Sequence, residues 1–321
     1  MKAMWYDVLT SFGNDATLRL HCLEIQMKLT NKHGIPETFV NVLRRPTYSR
    51  GKASRSVTQL INSPKIVALS EHFADEIEQD VSEMVWSLFG QAVHKVLEHG
   101  KDDNHVIEQR LSAEVDGWTI SGAIDLQIIG ENGISIRDYK TCSAWSVMND
   151  KIEWEQQLNI YAWLVEEVKQ KPVTDLGIVA IIRDWSRREA GKNEDYPLAP
   201  IKELPIRMWP QAERLEFIKH RVNAHAEAQF ALDTEELLPS CTPEEMWEKP
   251  TIYAVKKTGG VRAKQLFGDE LSAIAEAQRL GDEYEVEIRR GERTRCASFC
   301  PVSQWCAQWR DYQTGWIDGN A

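Results

Sequence analysis

Long apolar runs are absent from the sequence: no uninterrupted hydrophobic stretch approaches the roughly 20 residues that a membrane-spanning helix needs. Residues 1–7 also lack the apolar core of a secretory signal. With 42% hydrophobic and 27% charged residues, the composition is that of a soluble globular protein. We therefore expect no membrane partner and a cytoplasmic site of action.

An excess of positive charge is missing as well, since the net charge is −11, which does not favour binding to nucleic acid. Basic residues are nevertheless concentrated in two segments, 43–60 and 289–295. The basic residues there are Arg44, Arg45, Arg50, Lys52 and Arg55 in the first segment and Arg289, Arg290, Arg293 and Arg295 in the second. Such segments either contact phosphate groups or are simply solvated.

Paired C-x₂-C motifs are absent too, although the chain has six cysteines. Without a secretory signal, these cysteines argue against a disulfide framework and leave metal ligation, catalysis or burial. Three of them lie close together in the pattern Cys296-x₃-Cys300-Pro301-x₄-Cys306. Polar neighbours such as Arg295 and Gln304 disfavour simple burial of all three.

Two β-branched strands flank Asn132-Gly133, a dipeptide that favours a two-residue type I′ turn. This turn places Gln127 opposite Asp138 and Asp125 opposite Lys140. Because strand side chains alternate between faces, all four project from one side. Opposed residues have Cβ atoms roughly 5 Å apart, so this face predicts either a divalent-cation site or a surface ion pair. A register shift of one residue would remove the cation site.

The pattern around this hairpin predicts an α/β fold. Apolar residues recur at helical spacing over residues 75–98, which predicts a helix with one face in the core. A strand at 108–114 completes a three-stranded antiparallel meander, and a helix at 152–168 followed by a buried strand at 177–183 predicts a parallel crossover. The expected architecture is a mixed sheet flanked by helices, with a small ββαβ module at residues 252–290.

Four short motifs occur in order on these elements. They are Gly90-Gln91-Ala92-Val93-His94, Gly122-Ala123-Ile124-Asp125, Asp138-Tyr139-Lys140-Thr141 and Gln157-Leu158-Asn159-Ile160-Tyr161. In this order they resemble the histidine, G-x-x-D, D-Y-K-T and Q-x-x-x-Y motifs of the RecB-like branch of the PD-(D/E)XK nuclease superfamily. The resemblance covers roughly residues 56–185 and implies a restriction-endonuclease-like core that cleaves DNA.

The resemblance also implies a role for each motif residue. The metal ligands are expected to be His94, Asp125, Asp138 and the backbone carbonyl of Tyr139. Carboxylates are hard ligands that suit Mg²⁺, and an imidazole shifts the preference towards Mn²⁺. Lys140 is expected to position the attacking water and to offset developing negative charge. The residues expected to orient Lys140 and the DNA strand are Gln157 and Tyr161.

The cysteine triplet resembles that of iron–sulfur nucleases of the same branch, of the AddB and CRISPR-associated types, where it joins one upstream cysteine around a [4Fe–4S] cluster. This chain departs from that pattern in two ways. The first spacing is three residues instead of two, and Ser63-Pro64 stands where a cysteine precedes the proline. Cys241 is therefore the expected fourth ligand, with Cys22 as the second choice. The expected set is Cys241, Cys296, Cys300 and Cys306, holding a cluster or, alternatively, structural Zn²⁺.

These features predict a metal-dependent DNA exonuclease that acts on ends or single strands in recombination, repair or DNA turnover. The alternative is a catalytically idle subunit that keeps the nuclease fold for DNA binding or assembly. No G-x-x-x-x-G-K-[ST] motif occurs. A helicase or recombination partner would therefore be a separate protein, and a phage or mobile element is the expected source, with the host cytoplasm as location. The expected domains are an N-terminal extension (1–55), the nuclease core (56–240) and a cysteine-bracketed module with the C-terminus (241–321).

Overall fold

The computed structural model describes residues 28–44, 51–100, 102–234 and 236–315. The strands in these residues are β1 (Lys28–Thr30), β2 (Arg55–Ser56), β3 (Glu78–Asp80), β4 (His105–Val115), β5 (Trp118–Ile129), β6 (Ile134–Cys142), β7 (Val173–Ile182), β8 (Ile201–Ile206), β9 (Ile252–Lys257), β10 (Ala263–Phe267) and β11 (Tyr284–Arg289).

The α-helices in the same residues are α1 (Glu37–Leu43), α2 (Val57–Ile61), α3 (Pro64–His72), α4 (Val85–Leu97), α5 (Ala144–Met148), α6 (Ile152–Lys169), α7 (Arg187–Ala190), α8 (Gln211–Asp233), α9 (Glu270–Leu280), α10 (Thr294–Ser298) and α11 (Ala307–Gln313). Short 3₁₀ turns lie at Val81–Met84 and Ser303–Trp305. Among these described helices, none combines the length and the apolar character that crossing a membrane requires.

A six-stranded mixed sheet forms the centre of the fold. Its strands follow the order β2-β5-β6-β7-β8, and β4 pairs with the other edge of β5. Strands β4, β5 and β6 form an antiparallel meander, and β7 runs parallel to β6 after the crossover through α6. The predicted α/β architecture, with a mixed sheet flanked by helices, is therefore confirmed.

Helix α6 forms much of the core because its middle is buried on every side. All residues from Gln157 to Val165 are buried, which is the pattern of a helix enclosed by other elements. It packs against β4 and β7 on the sheet and against α2 and α8 on its other side. Each fully buried aliphatic side chain, such as Leu158 or Leu164, stabilises this packing by about 1.5–3 kcal/mol. The polar residues of α6 are thereby held at fixed positions over the sheet.

The hairpin between β5 and β6 has a longer loop than the predicted two-residue turn. Ile129 pairs with Ile134, so residues 130–133 form the loop, and the register places Asp125 opposite Asp138 instead of Lys140. The start of β6 lies against the segment that precedes β7, since the Ile134 N–H donates to the Pro172 carbonyl (2.9 Å). Because the register shift is two residues, every side chain keeps its predicted face.

The predicted helix over residues 75–98 begins only at Val85. The preceding segment is extended because Asp80 accepts hydrogen bonds from the Thr30 hydroxyl (2.9 Å) and the Lys32 N–H (2.7 Å), which hold β3 against β1. No residue of α4 is buried. The predicted core face of this helix is therefore wrong, and Trp86 and Phe89 are exposed.

Two smaller units lie beside the central sheet. Strands β9, β10 and β11 form a three-stranded sheet in the order β10-β9-β11 that packs against α9, so the predicted ββαβ order is confirmed. A second apolar cluster lies around the C-terminal cysteines, and its buried members are Ile66, Leu69, Ile77, Cys241, Met246 and Val302. The domain limits after residues 55 and 240 stay predictions.

Candidate active site

Helix α4 lies close to the end of β6, which brings His94 over the sheet. A Cβ atom at Gly90 would lie 3.2 Å from the Thr141 hydroxyl oxygen, so a glycine permits this approach. His94 Nε2 lies 2.9 Å from the Tyr139 carbonyl oxygen, and because a carbonyl only accepts, Nε2 carries the proton. His94 Nδ1 lies 3.6 Å from Asp125 Oδ1. Three of the four predicted metal-ligating positions therefore meet at one point.

Asp125 and Asp138 face each other where β5 and β6 separate. The ladder between the two strands extends from Leu126 to Ile129 on β5, and next to it the Tyr139 N–H donates to Asp125 Oδ2 (2.8 Å). Both carboxylates are buried, with 7% and 2% exposure. The pKa of Asp125 is raised to about 7, first by burial and then by the charge of Asp138, while His94, the Tyr139 N–H and Lys140 oppose the rise. Two buried carboxylates that face each other favour a cation between them.

Glu108 is a third carboxylate at the site, and the sequence reasoning missed it. It lies on β4 directly across from Asp125, between the pairs Ile107–Leu126 and Gln109–Ile124. Its backbone has φ 48°, a conformation that costs about 1 kcal/mol or more outside glycine. The Asp116-Gly117 turn would have revealed this residue, because counting from Val115 opposite Trp118 pairs 108 with 125.

The acidic side chains of the site lie close to His94. Ligand atoms of His94, Glu108 and Asp125 all lie within 4.8 Å of one another. The pKa of His94 is raised to about 9, first by the hydrogen bond with Glu108 and then by the charges of Asp125 and Asp138 and the Tyr139 carbonyl, while burial opposes the rise. Carboxylate oxygens, a peptide carbonyl and an imidazole are the donor set that suits Mg²⁺ or Mn²⁺.

Lys140 and Gln157 form a hydrogen-bonded chain beside these carboxylates. Lys140 Nζ lies 2.7 Å from Asp138 Oδ2 and donates to Gln157 Oε1 (3.0 Å). The Gln157 amide donates to Asp138 Oδ1 (3.1 Å) and to the Tyr161 hydroxyl (2.9 Å). The structure therefore brings together every predicted residue of the D-Y-K-T and Q-x-x-x-Y motifs, and Lys140 is held in one position by two partners.

Gly122 makes room for this chain. A Cβ atom at Gly122 would lie 2.6 Å from Tyr161 Cε1 and 3.0 Å from Val57 Cγ2. Any larger residue would displace the Tyr161 ring, and through it the hydrogen bond to Gln157. Gly122 of the G-x-x-D motif thus lets Tyr161 of α6 pack closely against β5, while Asp125 of the same motif faces His94.

The four cysteines predicted to bind a cofactor line one pocket: Cys241, Cys296, Cys300 and Cys306. The pKa of Cys296 is raised to about 11, first by burial and then by the neighbouring thiols of the other three. Cys142 lies elsewhere, in the core of the central sheet. Cys22, the second choice for the fourth ligand, lies outside the described residues.

Ser63 lies beside the same pocket. Its hydroxyl is 3.2 Å from the thiol of Cys241, although the two residues are 178 positions apart. The backbone of Cys241 is held by Gln308, whose amide bonds both its N–H (2.9 Å) and its carbonyl (3.0 Å). Four thiols that meet among apolar neighbours such as Met246 and Val302 are a donor set that fits an iron–sulfur cluster or zinc.

Comparison with known families identifies the class of protein. The family described as the PD-(D/E)XK nuclease superfamily matches residues 68–307, about three quarters of the chain. The protein therefore belongs to this superfamily and is a nuclease, a hydrolase of a class that typically uses divalent metal ions.

Two solved structures are distantly similar to the chain. The crystal structure of SSO0001 is 18% identical with a TM-score of 0.39, over 58% of this chain and 82% of that one. A protein of Eubacterium rectale named as a candidate exonuclease is 14% identical with a TM-score of 0.28, over 48% of this chain and 57% of that one. Both similarities are too low to indicate a substrate. No curated protein matches the chain.

Proposed function

We propose that the protein is a metal-dependent DNA exonuclease that hydrolyses phosphodiester bonds at DNA ends or on single strands. The observation that carries this proposal is the fixed position of Lys140 between Asp138 and Gln157, next to the acidic site of His94 and Asp125. The preference for an exonuclease rests on the resemblance of the four motifs to the RecB-like branch. Its biological setting would be recombination, repair or DNA turnover in a phage or mobile element, with a recombination or helicase protein as its partner.

The metal-binding residues in this proposal are His94, Asp125, Asp138 and the Tyr139 carbonyl, and we add Glu108 to them. A divalent cation in such a site lowers the pKa of a water molecule and neutralises charge on the scissile phosphate. The protein preorganises these ligands, because the Tyr139 N–H donates to the Asp125 carboxylate (2.8 Å) and fixes its orientation. The Tyr139 carbonyl accepts from His94 Nε2 (2.9 Å) and is thereby directed towards the same point.

Lys140 acts on the phosphate side of the site. Its ammonium positions the attacking water and stabilises the negative charge that develops on the phosphate oxygens. Asp138 and Gln157 hold Nζ at 2.7 Å and 3.0 Å, so the charge needs no reorganisation during the reaction. Tyr161 fixes the Gln157 amide through its hydroxyl (2.9 Å) and thus acts as a positioning residue.

The rival function is a catalytically idle DNA-binding or assembly subunit. It predicts no cleavage under any metal condition, whereas all residues of the proposed catalytic set are present and adjacent in this chain. The test measures degradation of end-labelled linear single-stranded DNA with Mn²⁺ or Mg²⁺, in the wild type and in Asp138→Asn, which keeps the shape of the side chain. We expect cleavage by the wild type and none by the variant.

A matched control is Asp175→Asn, because Asp175 is also an aspartate of the central sheet and pairs with Arg137 (2.5 Å) outside the site. This variant should keep full activity.

Closed circular single-stranded DNA should resist the enzyme if it is an exonuclease, and labels at the 5′ and 3′ ends should reveal its polarity. An inert wild type that still binds DNA would favour the rival function.

We also propose that Cys241, Cys296, Cys300 and Cys306 hold a structural [4Fe–4S] cluster. The four cysteines line one pocket. Paired C-x₂-C motifs, which are typical of structural zinc sites, are absent from the sequence, and this favours the cluster over structural Zn²⁺.

The contact between Ser63 and Cys241 provides the test of this ligand set. Cys241→Ser should lose iron and the visible absorbance of the purified protein. Because the two side chains are 3.2 Å apart, adding Ser63→Cys to that variant should restore both, since the new thiol reaches the same pocket. A colourless wild type with one zinc ion per chain after anaerobic purification would refute the cluster.

A further inference from the structure

Two exposed tryptophans near the proposed active site each carry a cation over the ring. Trp86 is 56% exposed and Trp145 is 58% exposed. The Arg183 guanidinium lies 4.4 Å from the centre of the Trp86 ring, and the Lys151 ammonium lies 4.4 Å from that of Trp145. Exposed tryptophans paired with cations in this way are the groups that proteins use to stack on bases and to pair with phosphates.

Both pairs lie at the carboxyl end of β6, just beyond Asp138 and Lys140. The Arg183 N–H donates to the Cys142 carbonyl (3.0 Å), which joins the end of β7 to the end of β6. The Ala144 N–H donates to the Asp184 carboxylate (2.7 Å), which fixes the start of α5, the helix that carries Trp145, beside Arg183. The pKa of the buried Cys142 thiol is raised by burial and by the charge of Asp184, while the charges of Arg183, Lys140 and Lys151 oppose the rise, so three cations and one carboxylate lie near it.

The distance to the reacting centre matches a few nucleotides. Trp86 and His94 lie on the same helix, two turns apart, which corresponds to about 12 Å along its axis. Stacked nucleotides rise about 3.4 Å each along one strand, so about three or four of them span this distance. Phe89 lies edge-on to Trp86 with 6.5 Å between ring centres and extends the surface towards the site.

We infer that this surface, made of Trp86, Phe89, Trp145, Lys151 and Arg183, binds the single-stranded segment of the DNA substrate. Bases stack on the two tryptophans, and backbone phosphates pair with Lys151 and Arg183. The inference rests on the proposed nuclease function and specifies which form of DNA enters its site. A duplex does not fit this role, because its base faces are already stacked on one another.

Charge argues for DNA over an apolar protein segment on this surface. Asp184, the acidic residue next to Arg183, is already engaged by the Ala144 N–H. The phosphates of DNA complement the charges of Lys151 and Arg183, whereas an apolar peptide would leave these two charges without an acidic partner. The tryptophans of α6 cannot serve instead, because Trp163 is 3% exposed and Trp154 packs against the core.

The test is the affinity for a short labelled oligothymidylate, measured by fluorescence anisotropy in EDTA so that no cleavage occurs. Trp86→Leu and Trp145→Leu should each weaken binding about tenfold, and Trp86→Phe should recover most of the loss because it retains a ring. Arg183→Ala should weaken binding and reduce the dependence on salt by about one ion. A blunt duplex of the same length should bind more weakly than the single strand.

The matched control is Trp247→Leu. Trp247 is also an exposed tryptophan, at 45%, and carries the Arg295 guanidinium at 5.4 Å from its ring, but it lies beside the cysteine pocket. This variant should bind the oligonucleotide like the wild type. Thermal unfolding of each variant checks that the fold is intact.

The outcomes separate this inference from the proposed function. Asp138→Asn should bind the oligonucleotide like the wild type while it loses cleavage, and the tryptophan variants should raise KM for single-stranded DNA more than they lower kcat. Unchanged affinity in both tryptophan variants, together with normal loss of cleavage in Asp138→Asn, would overturn the surface and leave the nuclease intact. Tryptophan-dependent binding by a protein that cleaves nothing would support the surface and overturn the nuclease.

Discussion

The proposed active site and the cysteine pocket both gather side chains that are far apart in the sequence, but they are stabilised differently. At the active site most polar groups are bonded to one another: Asp138 binds Lys140 and Gln157, and Asp125 accepts the Tyr139 N–H. In the pocket, thiols meet among apolar side chains, and burial raises the pKa of Cys241, Cys296 and Cys300.

This difference indicates how each region depends on metal. Groups that are hydrogen-bonded to one another keep their geometry without a cation, so the active site is preorganised by the protein. Thiols with raised pKa values are neutral at ordinary pH and become thiolates only when a cation binds them. We therefore expect the active site to lose activity without loss of fold when it is altered, and the cysteine pocket to lose both.

After Asp138→Asn, the largest effect on activity should come from Lys140→Ala. The variant removes a cation held between Asp138 and Gln157, and removal of one preorganised charge of this kind costs about 10²- to 10³-fold in kcat. Initial rates on labelled single-stranded DNA measure the loss. Mn²⁺ binding by calorimetry should be retained, since Lys140 is not a ligand. A rate within a few-fold of the wild type would contradict a preorganised site.

The largest effect on stability should come from Cys300→Ser. Loss of one ligand removes the binding free energy of the metal group, which is also folding free energy. The variant should lose iron, and its midpoint in urea should fall markedly. The matched control is Cys142→Ser, another buried cysteine, which lies outside the pocket. It should lose only about 1–3 kcal/mol from the buried hydroxyl and keep its iron. Equal iron content in the Cys300→Ser and Cys142→Ser variants would contradict the proposal that the cysteine pocket binds the metal group.

The stability of the fold should depend on pH through His225, a buried residue of α8. This residue is 1% exposed and its Nε2–H donates to the Leu60 carbonyl (3.1 Å). Burial lowers its pKa to about 4, and the charges of Arg55 and Arg221 act in the same direction. The unfolded state, with a pKa near 6.5, therefore binds more protons between these two values, and the stabilising contribution is lost as pH falls through this window.

Between pH 7 and pH 5 this linkage amounts to about 2 kcal/mol. His225→Gln keeps a donor for the Leu60 carbonyl and removes the titration. Urea unfolding of the variant should therefore lose about that much less stability than the wild type over the same pH change. Parallel curves for the two proteins would show that His225 is not responsible.

The smallest effect should come from Glu108→Gln. Its carboxylate is the largest cause of the raised pKa of His94, so the variant should move that pKa down towards 6.5. The half-saturating Mn²⁺ concentration should rise about tenfold, as for loss of a group that supports a metal site. An NMR titration of the imidazole and a metal titration of activity measure the two effects. An unchanged metal requirement would exclude Glu108 from the site.

The face of the hairpin could be predicted from the sequence even though its register was wrong. The predicted two-residue turn at Asn132-Gly133 would oppose Asp125 and Lys140, whereas the structure opposes Asp125 and Asp138. Alternation has a period of two residues, so the two-residue shift changed the partners without changing the face. The loop length depends on the contact of Ile134 with Pro172, the residue just before the later strand β7, which local patterns do not include.

Helix α4 illustrates a limit of periodicity. Its apolar spacing predicted a core face, yet Trp86 and Phe89 are exposed. Periodicity shows which residues share a side of a helix, but not whether another element covers that side. Glu108 shows a second limit: counting back from the Asp116-Gly117 turn places it opposite Asp125, but no motif marks it as a site residue and no local pattern encodes its φ of 48°.

The sequence by itself determined which side chains share a face on β5, β6 and α6, because strand and helix periods are local properties of the backbone. It also contained the four motifs and the cysteine triplet in their order. Only the tertiary structure brought Glu108 to His94, set Cys241 against Ser63 and left Trp86 exposed beside Arg183. These contacts join residues from separate elements, and their distances depend on how whole helices and strands pack, which no local pattern specifies.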